Sequence, residues 1–433
     1  MRPVETIEAL APAGLIIEAI VESLDVKVKV FRDVEALVAP EAILGTNTSS
    51  LSVTAIAAKL LRPGRLVGMH FFNPAPILPL VEVVSGRLTD PAVAEITHAT
   101  ARRWGKIPVH CASTPGFIVN RVARPFYGEA LRLASEGAAS PATLDAILRE
   151  VGGFRMGPFA LMDLIGHDVN FAVTRSVYDG LFQDPRYKPS LLQQELVFAG
   201  LLGRKSGRGF YDYAPGASAP LPDDAPQGPR PARIVIEGDL GPAERLAEAA
   251  QLAGIEVQRG EGDGLIRLAS TTMALTDGRT ATERFAAGGP AVLFDLALDY
   301  AGCKRMAIAG AEQADGAAVA EAAGLFQALG KSVSVIADVP GLAVLRTVAM
   351  LANEAVDAVN LEIATPEDVD LSMVNGVNYP LGPLAWGDTI GPARLVAAID
   401  ALARICGEDR YRVSPLLRRR AQAGLPILEE RRP

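Results

Sequence analysis

Residues 68–84, GMHFFNPAPILPLVEVV, carry an imidazole and a carboxylate twelve residues apart, His70 and Glu82. His70 follows the apolar run 66–69, and Glu82 sits inside a second, 80–84; both runs read as strands. A carboxylate among Val81, Val83 and Val84 is costly to bury unless something polar meets it. The histidine is the obvious partner. If the strands are parallel neighbours, Glu82 can hold one ring nitrogen of His70, fix its tautomer and raise its basicity, leaving the other nitrogen to take a proton from a substrate. That pattern is a general-base dyad. A lone histidine after a strand is more often structural, so the weight rests on the elements around the pair.

Those elements alternate over the first hundred residues as a parallel sheet requires. Strands are expected at 15–21, 42–46, 66–69, 80–84 and 107–111, with helices at 26–37, 53–61 and 91–104. In doubly wound sheets ligands bind outside the carboxyl ends of the strands. The rule selects Glu22, the turn Asn47-Thr48-Ser49-Ser50, and His70. After Pro115-Gly116 the pattern turns helical: 117–136, kinked at Pro125, then 142–151 and 161–181, closing at 203–213. Residues 214–231, rich in Pro, Ala, Gly and Asp, read as a linker. A second α/β pattern follows, with strand candidates at 234–236, 291–296, 306–309 and 333–336, and a helical region runs to the C-terminus. The expected fold class is α/β plus all-α: a partial Rossmann domain (1–113), a helical domain (114–213), the linker, a degenerate Rossmann-like domain (232–338) and a second helical domain (339–433).

A shift of 225 residues lays Gly105-Lys106 on Gly330-Lys331, Pro115-Gly116 on Pro340-Gly341, Glu129 on Glu354, Asp145 on Asp370, Asp163 on Asp388 and Gly166 on Gly391. An ungapped register of this length indicates duplication. Asn120 falls on Leu345, and no histidine occurs beyond His167, so the second copy cannot repeat the dyad.

Composition excludes several classes. The chain has 433 residues, enough for two to four domains, and 49% of them are hydrophobic. No uncharged apolar stretch reaches the length of a membrane span, and the N-terminus lacks a signal peptide's apolar core, so a cytoplasmic protein without membrane contact is expected. Cys111, Cys303 and Cys406 lie far apart, and the four histidines lack ligand spacing, so neither a disulfide framework nor a metal is expected. A formal charge of −8 argues against nucleic acid; Arg418–Arg420 reads as a solvated helix face.

His-Phe-Phe-Asn-Pro with the distal glutamate, set in this organisation, resembles the 3-hydroxyacyl-CoA dehydrogenase family over nearly the whole chain. The nearest form is the bacterial one with two C-terminal helical domains, acting on 3-hydroxybutyryl-CoA or 3-hydroxyadipyl-CoA. The resemblance implies NAD-dependent oxidation of a (S)-3-hydroxyacyl-CoA to the 3-oxoacyl-CoA, in fatty-acid β-oxidation or aromatic, phenylacetate-type catabolism. It implies an acyl-CoA substrate and either a homodimer or an internal pseudo-dimer. By motif position His70 is the base and Glu82 its orienting partner. Ser49 and Asn120 match substrate-binding positions, and Glu22, Lys27, Ser49, Asn73 and Lys205 match cofactor-binding ones. Locally, the serine turn also reads as a helix N-cap at Ser50 or Ser52, Asn73 as an Asn-Pro turn residue, Asn120 as a tolerated mid-helix polar residue and Lys27 as a surface lysine. A dicarboxylate substrate would favour a cation such as Arg121, Arg124 or Arg155.

One feature departs from the family. No G-x-G-x-x-G occurs; the nearest miss is Gly260-Glu-Gly262-Asp-Gly264. Residues 15–21 align with a middle strand of the family's sheet, so the glycine-rich half of the NAD-binding domain reads as not encoded. The expectation is a chain with little or no dehydrogenase activity, or a truncated non-catalytic remnant with an assembly role.

Overall fold

The computed structural model describes residues 3–428. The chain divides into two compact units. One comprises residues 1–123, 179–182 and 355–384, the other residues 124–178, 183–354 and 385–433.

The first unit is built on a five-stranded sheet in the order β1 (Leu15–Glu18), β2 (Ile43–Thr46), β3 (Leu66–Phe71), β4 (Leu80–Ser85), β5 (Ile107–Ala112). Helices Leu24–Glu35, Val53–Ala57 and Pro91–Arg103 connect them. β1, β2 and β3 are mutually parallel, as are β4 and β5. β3 and β4 run antiparallel, not parallel, and His70 lies directly opposite Glu82 in the register. The connection explains this. Only residues 72–79 join the two strands, and a parallel crossover needs a dozen or more. β3 and β4 form the centre of the core: Leu66, Val67, Met69, Leu80, Val81, Val83 and Val84 are fully buried. Gly68 is required there, because a Cβ would lie 2.7 Å from the side chain of Val84.

β1 stops at Glu18, short of the expected 21, and Ile20 and Val21 are exposed. Of the single kinked helix expected over 117–136 the structure makes two, Val119–Val122 and Arg124–Ser135. Pro125 lacks an N–H and its ring crowds the carbonyl four residues back, so the ladder breaks rather than bends. The expected helix 161–181 is likewise split, at Gly166 with φ +98°, into Pro158–Ile165 and His167–Gly180.

The second unit holds a seven-stranded mixed sheet together with helices. Its strands are β6 (Arg233–Glu237), β7 (Glu256–Gly260), β8 (Leu265–Arg267), β9 (Thr272–Leu275), β10 (Val292–Phe294), β11 (Arg305–Gly310) and β12 (Ser332–Val335). The order is β12-β11-β10-β9-β8-β6-β7. β7, β8 and β9 are the strands that hydrophobic patterning misses, being short and, in β7, almost wholly exposed. The stretch 214–231 has no helix or strand, yet it is tied down: Thr143 Oγ1 donates to Asp223 at 2.8 Å and Ala225 N to the Val333 carbonyl at 2.7 Å. The architecture is therefore mixed α/β of Rossmann type plus helices.

The duplication is visible in the backbone. Gly116 and Gly341 have φ of +79° and +75°, and the residues after them, Phe117 and Leu342, share the unusual values +48° and +51°. Within the second unit the helical copies grip each other reciprocally. Glu354 accepts from Arg186 Nη1 at 3.0 Å and Tyr187 Oη at 2.5 Å. Its counterpart Glu129 accepts from Tyr411 Oη and Arg346 Nε, both at 2.8 Å, with Arg410 at 4.0 Å. Each copy's helix glutamate is thus held by an Arg-Tyr pair from the other, the exchange expected of a two-fold interface.

Candidate functional site

His70 ends the buried part of β3 and is 6% exposed; Glu82, opposite on β4, is wholly buried. His70 Nδ1 lies 2.6 Å from Glu82 Oε2. The other carboxylate oxygen, Oε1, accepts from the backbone N–H of Ile118 at 3.0 Å and of Val119 at 2.9 Å. With both oxygens accepting, the carboxylate requires a proton on Nδ1, which leaves the Nε2 lone pair without a partner among the described residues. The rings of Phe72 and Phe117 pack against the imidazole, with centroids at 4.6 Å and 5.7 Å. They fix its plane without competing for hydrogen bonds. The residues 118 and 119 were invisible to sequence reasoning because their contribution is backbone; Glu82, a buried carboxylate needing more than one donor, was the available signal.

The carboxyl ends of β1 and β2 meet beside it. Asn47 Oδ1 accepts from Phe71 N at 2.9 Å, which pins the end of β2 to the residue after His70. Glu22 Oε1 accepts from Thr48 Oγ1 at 2.6 Å, Ser49 N at 2.9 Å, and Ser50 N and Oγ at 3.0 Å and 2.9 Å. Partial burial would push the Glu22 carboxyl up, but these bonds and the nearby Lys27 ammonium outweigh it and hold it below the usual range. Ser49 Oγ itself is only loosely engaged, 3.5 Å from Glu22, and keeps hydrogen-bonding capacity; the N-cap of the following helix is Ser52, whose Oγ accepts from Ala55 N.

Lys27 is not a surface lysine: it lies on the helix face that also buries Phe31 and Val34. It is 1% exposed, with Nζ 2.6 Å from Glu18 and 3.3 Å from Glu22. Glu18 also accepts from Thr46 Oγ1 at 2.8 Å, so a buried ionic cluster underlies the serine turn. Glu18 was missed, although a charge ending the run Leu-Ile-Ile-Glu marks it. Asn73 is exposed, in the loop after β3. Asn120, half-buried in the short helix after the Glu82-bound amides, makes no side-chain hydrogen bond among the described residues.

Lys205 lies in the second unit, its Nζ 2.5 Å from Asp168. The candidate cations for a dicarboxylate differ in their surroundings. Arg121 pairs with Asp357 at 3.5 Å, Arg124 donates to Thr174 Oγ1 at 3.0 Å, and Arg155 is exposed. A second imidazole–carboxylate pair, His167 Nε2 with Asp163 Oδ1 at 2.7 Å, is fully buried, and its other nitrogen faces Gln193 at 3.4 Å. No substrate reaches it; it is structural. No group of three or more His, Cys, Asp or Glu side chains among the described residues is placed to hold a metal, and no described helix is long and apolar enough to cross a membrane.

Comparison with known proteins places the chain in a family. Residues 1–114 match the family model "3-hydroxyacyl-CoA dehydrogenase, NAD binding domain". Residues 116–213 and 341–429 match "3-hydroxyacyl-CoA dehydrogenase, C-terminal domain", and 273–340 match "3-hydroxybutyryl-CoA dehydrogenase reduced Rossmann-fold domain". The chain is 44% identical over 97% of its length to 3-hydroxyadipyl-CoA dehydrogenase of Escherichia coli, of which it covers 83%. It is 42% identical over 48% of its length to a probable 3-hydroxybutyryl-CoA dehydrogenase of Deinococcus radiodurans, covering 74% of it. A crystal structure of 3-hydroxybutyryl-CoA dehydrogenase from Escherichia coli superposes with a TM-score of 0.88 at 43% identity, over 97% of this chain and 84% of that one. The first match corrects the expectation of a missing NAD-binding half: the NAD-binding domain is present over residues 1–114, without a G-x-G-x-x-G. Within residues 1–114 the parallel strands β1, β2 and β3 present polar residues at their carboxyl ends.

Proposed function

Because the chain belongs to the 3-hydroxyacyl-CoA dehydrogenase family and is an NAD-dependent oxidoreductase of it, we propose that it oxidises (S)-3-hydroxyacyl-CoA thioesters with His70 as general base and Glu82 as its positioning residue. The match of residues 1–114 to the NAD-binding domain supports an active enzyme over an inactive remnant. The observation that carries the proposal is the Nδ1–Oε2 contact of 2.6 Å across a strand pair, with Nε2 left without a partner among the described residues.

His70 Nε2 accepts the C3 hydroxyl proton. The imidazole becomes cationic as the proton arrives, and the buried carboxylate beside it offsets that charge where water cannot screen it. Glu82 is kept in place by two backbone amides, so it does not rotate toward the new cation. The unengaged amide of Asn120 and the loosely held hydroxyl of Ser49 are the groups proposed to orient the substrate. NAD, when bound, supplies the hydride acceptor. The turn 47–50, Glu22 and Asn73 are proposed to hold it. The fit rests on the carboxyl edge of β1–β3, where a rigid hydroxyl-rich turn stands over an ionic cluster. Lys27, being buried, acts through Glu22 rather than by contact.

The substrate is proposed to be a short 3-hydroxyacyl-CoA, the dicarboxylate 3-hydroxyadipyl-CoA included, which suits a role in fatty-acid β-oxidation or aromatic catabolism. Steady-state NADH formation from 3-hydroxybutyryl-CoA and 3-hydroxyadipyl-CoA tests this, with His70→Gln as control. Turnover of either thioester that survives the His70→Gln substitution undiminished would refute the assignment of the base.

A further inference from the structure

The second α/β sheet keeps a cavity where such sheets bind ligands. It has a volume of about 230 Å³ and lies at the carboxyl ends of β6, β9 and β10, lined there by Asp239, Leu240, Thr276, Asp277 and Leu296. Helical residues Leu345, Ile390 and Arg394 complete its wall. The volume is below that of a drug-sized cleft, which sets the scale of an occupant at a few heavy atoms.

The cavity cannot repeat the chemistry of the first sheet. Asp295 N donates to the Ala307 carbonyl at 2.9 Å, and Ala307 is the counterpart of Glu82 under the 225-residue shift. Asp295 therefore occupies the register position of His70. Its carboxylate accepts directly from Ala343, Val344 and Leu345 N at 2.9, 2.7 and 3.0 Å, so the groups that would serve a base are consumed. Leu345 replaces Asn120 and makes the wall apolar.

Two polar groups there lack partners. Thr276 is 3% exposed, and its Oγ1, in the cavity wall, has no hydrogen-bond partner among the described residues. A buried hydroxyl without a partner is costly, and a ligand acceptor or donor would relieve that cost. Arg394 makes no ion pair or hydrogen bond among the described residues, and its guanidinium lies flat against Gly241, where a Cβ would come within 2.4 Å of it. Gly241, at φ +59°, thus makes room for the cation at the mouth. The acidic residues nearby are largely committed. Asp277 pairs with Arg279 at 2.6 Å and Arg284 at 3.6 Å, and Asp239 accepts from Gly241 N at 2.7 Å; Asp263 is exposed to solvent.

We propose that this cavity is a non-catalytic binding site for a short aliphatic carboxylate, its carboxyl on Arg394 and the Thr276 hydroxyl, its hydrocarbon against Leu296, Leu345 and Ile390. The site is separate from the His70 centre and does not depend on the function proposed for it.

Saturation-transfer NMR and calorimetry of the full chain with butanoate test this, with butan-1-ol and inorganic phosphate as the neutral and the apolar-free probes. Butanoate is expected to bind more tightly than either. Arg394→Gln should weaken it at least about tenfold and Thr276→Val about threefold, the worth of a charged and a neutral hydrogen bond. Both variants should leave NADH formation by the His70 centre unchanged. Both are also mild: Arg394 is exposed, and valine matches threonine in shape. Equal binding of butan-1-ol or phosphate, or butanoate binding indifferent to both substitutions, would overturn the proposal, as would no butanoate binding at all.

Discussion

Replacing Glu82 with glutamine tests the dyad without changing its shape. The carboxylate makes three contacts: His70 Nδ1 at 2.6 Å through one oxygen, and Ile118 N and Val119 N at 3.0 and 2.9 Å through the other. Glutamine has two orientations. With its NH2 group toward the two amides, two buried donors face a donor, at a cost of roughly 2–6 kcal/mol for the pair. With its carbonyl toward them, the amides stay satisfied and the NH2 group donates to Nδ1. The second orientation wins, and it forces the imidazole into the opposite tautomer, with the proton on Nε2. The ring can then no longer accept the substrate's proton. The expected result is a fall in kcat of about 10²–10⁴-fold with little change in KM, since no substrate contact is lost. Steady-state NADH formation measures the rate. Nitrogen chemical shifts of the His70 ring report the tautomer independently. A variant that retains a third of kcat, or one whose ring keeps its proton on Nδ1, would refute the reasoning.

Four further outcomes follow from other parts of the structure. Asn120→Leu, which installs the residue of the second copy at a half-buried position, should lower kcat/KM about tenfold or more without lowering the melting temperature, as kinetics and calorimetry would show. Lys27→Met leaves Glu18 buried and unpaired and should cost about 3–5 kcal/mol in urea unfolding, with Glu18→Gln in the same chain recovering part of it. Burial pushes the Asp295 carboxyl up from 3.8 to about 6, so the folded state holds its proton more tightly than the unfolded one. The resulting penalty of roughly 3 kcal/mol is present above pH 6 and relieved as pH falls toward 4, and the wild-type chain should gain that much on Asp295→Asn between pH 7 and pH 4 in urea titrations. Because Glu129 and Glu354 are each held by the other helical copy within one chain, light scattering should give a single chain of 45.6 kDa; a stable dimer would refute internal pairing as a substitute for a partner.

The parts of the fold legible in the sequence were those with strong apolar runs. β2 to β5 fall within two residues of their expected bounds because each is built on a mostly buried apolar run. Strand direction was not legible, since periodicity carries no sign; the length of the 72–79 loop, too short for a crossover, was the cue that β3 and β4 are antiparallel. Helix breaks at Pro125 and Gly166 were marked by residue type but underestimated, because a helical apolar pattern continues across them. At the site, His70 and Glu82 were found because their chemistry is in their side chains. Lys27 was misjudged on residue type, since a lysine is rarely buried; helix spacing sets it on the same face as buried Phe31 and Val34, where Glu18 pairs with it. The glycine-rich motif misled in the other direction: its absence suggested that half of the NAD-binding domain is missing, although residues 1–114 match that domain.

The two sheets show what separates a catalytic strand tip from a structural one. In both, backbone amides at the start of the following helical segment need a buried acceptor, and a carboxylate supplies it. Asp295, at the end of β10, reaches those amides directly from the His70 position. In the first sheet the acceptor is moved to the neighbouring strand as Glu82, one methylene longer, and a histidine takes the vacated position between it and the solvent side. The same carboxylate then satisfies the amides with one oxygen and polarises an imidazole with the other. Neither change is sufficient alone. Asp295→His would leave Ala307 opposite it and three buried amides unpaired, so a dyad transplanted into the second copy requires Ala307→Glu as well; the double variant should fold more stably than Asp295→His, a difference that urea unfolding would reveal, and equal stability of the two would show that the amides do not need the carboxylate.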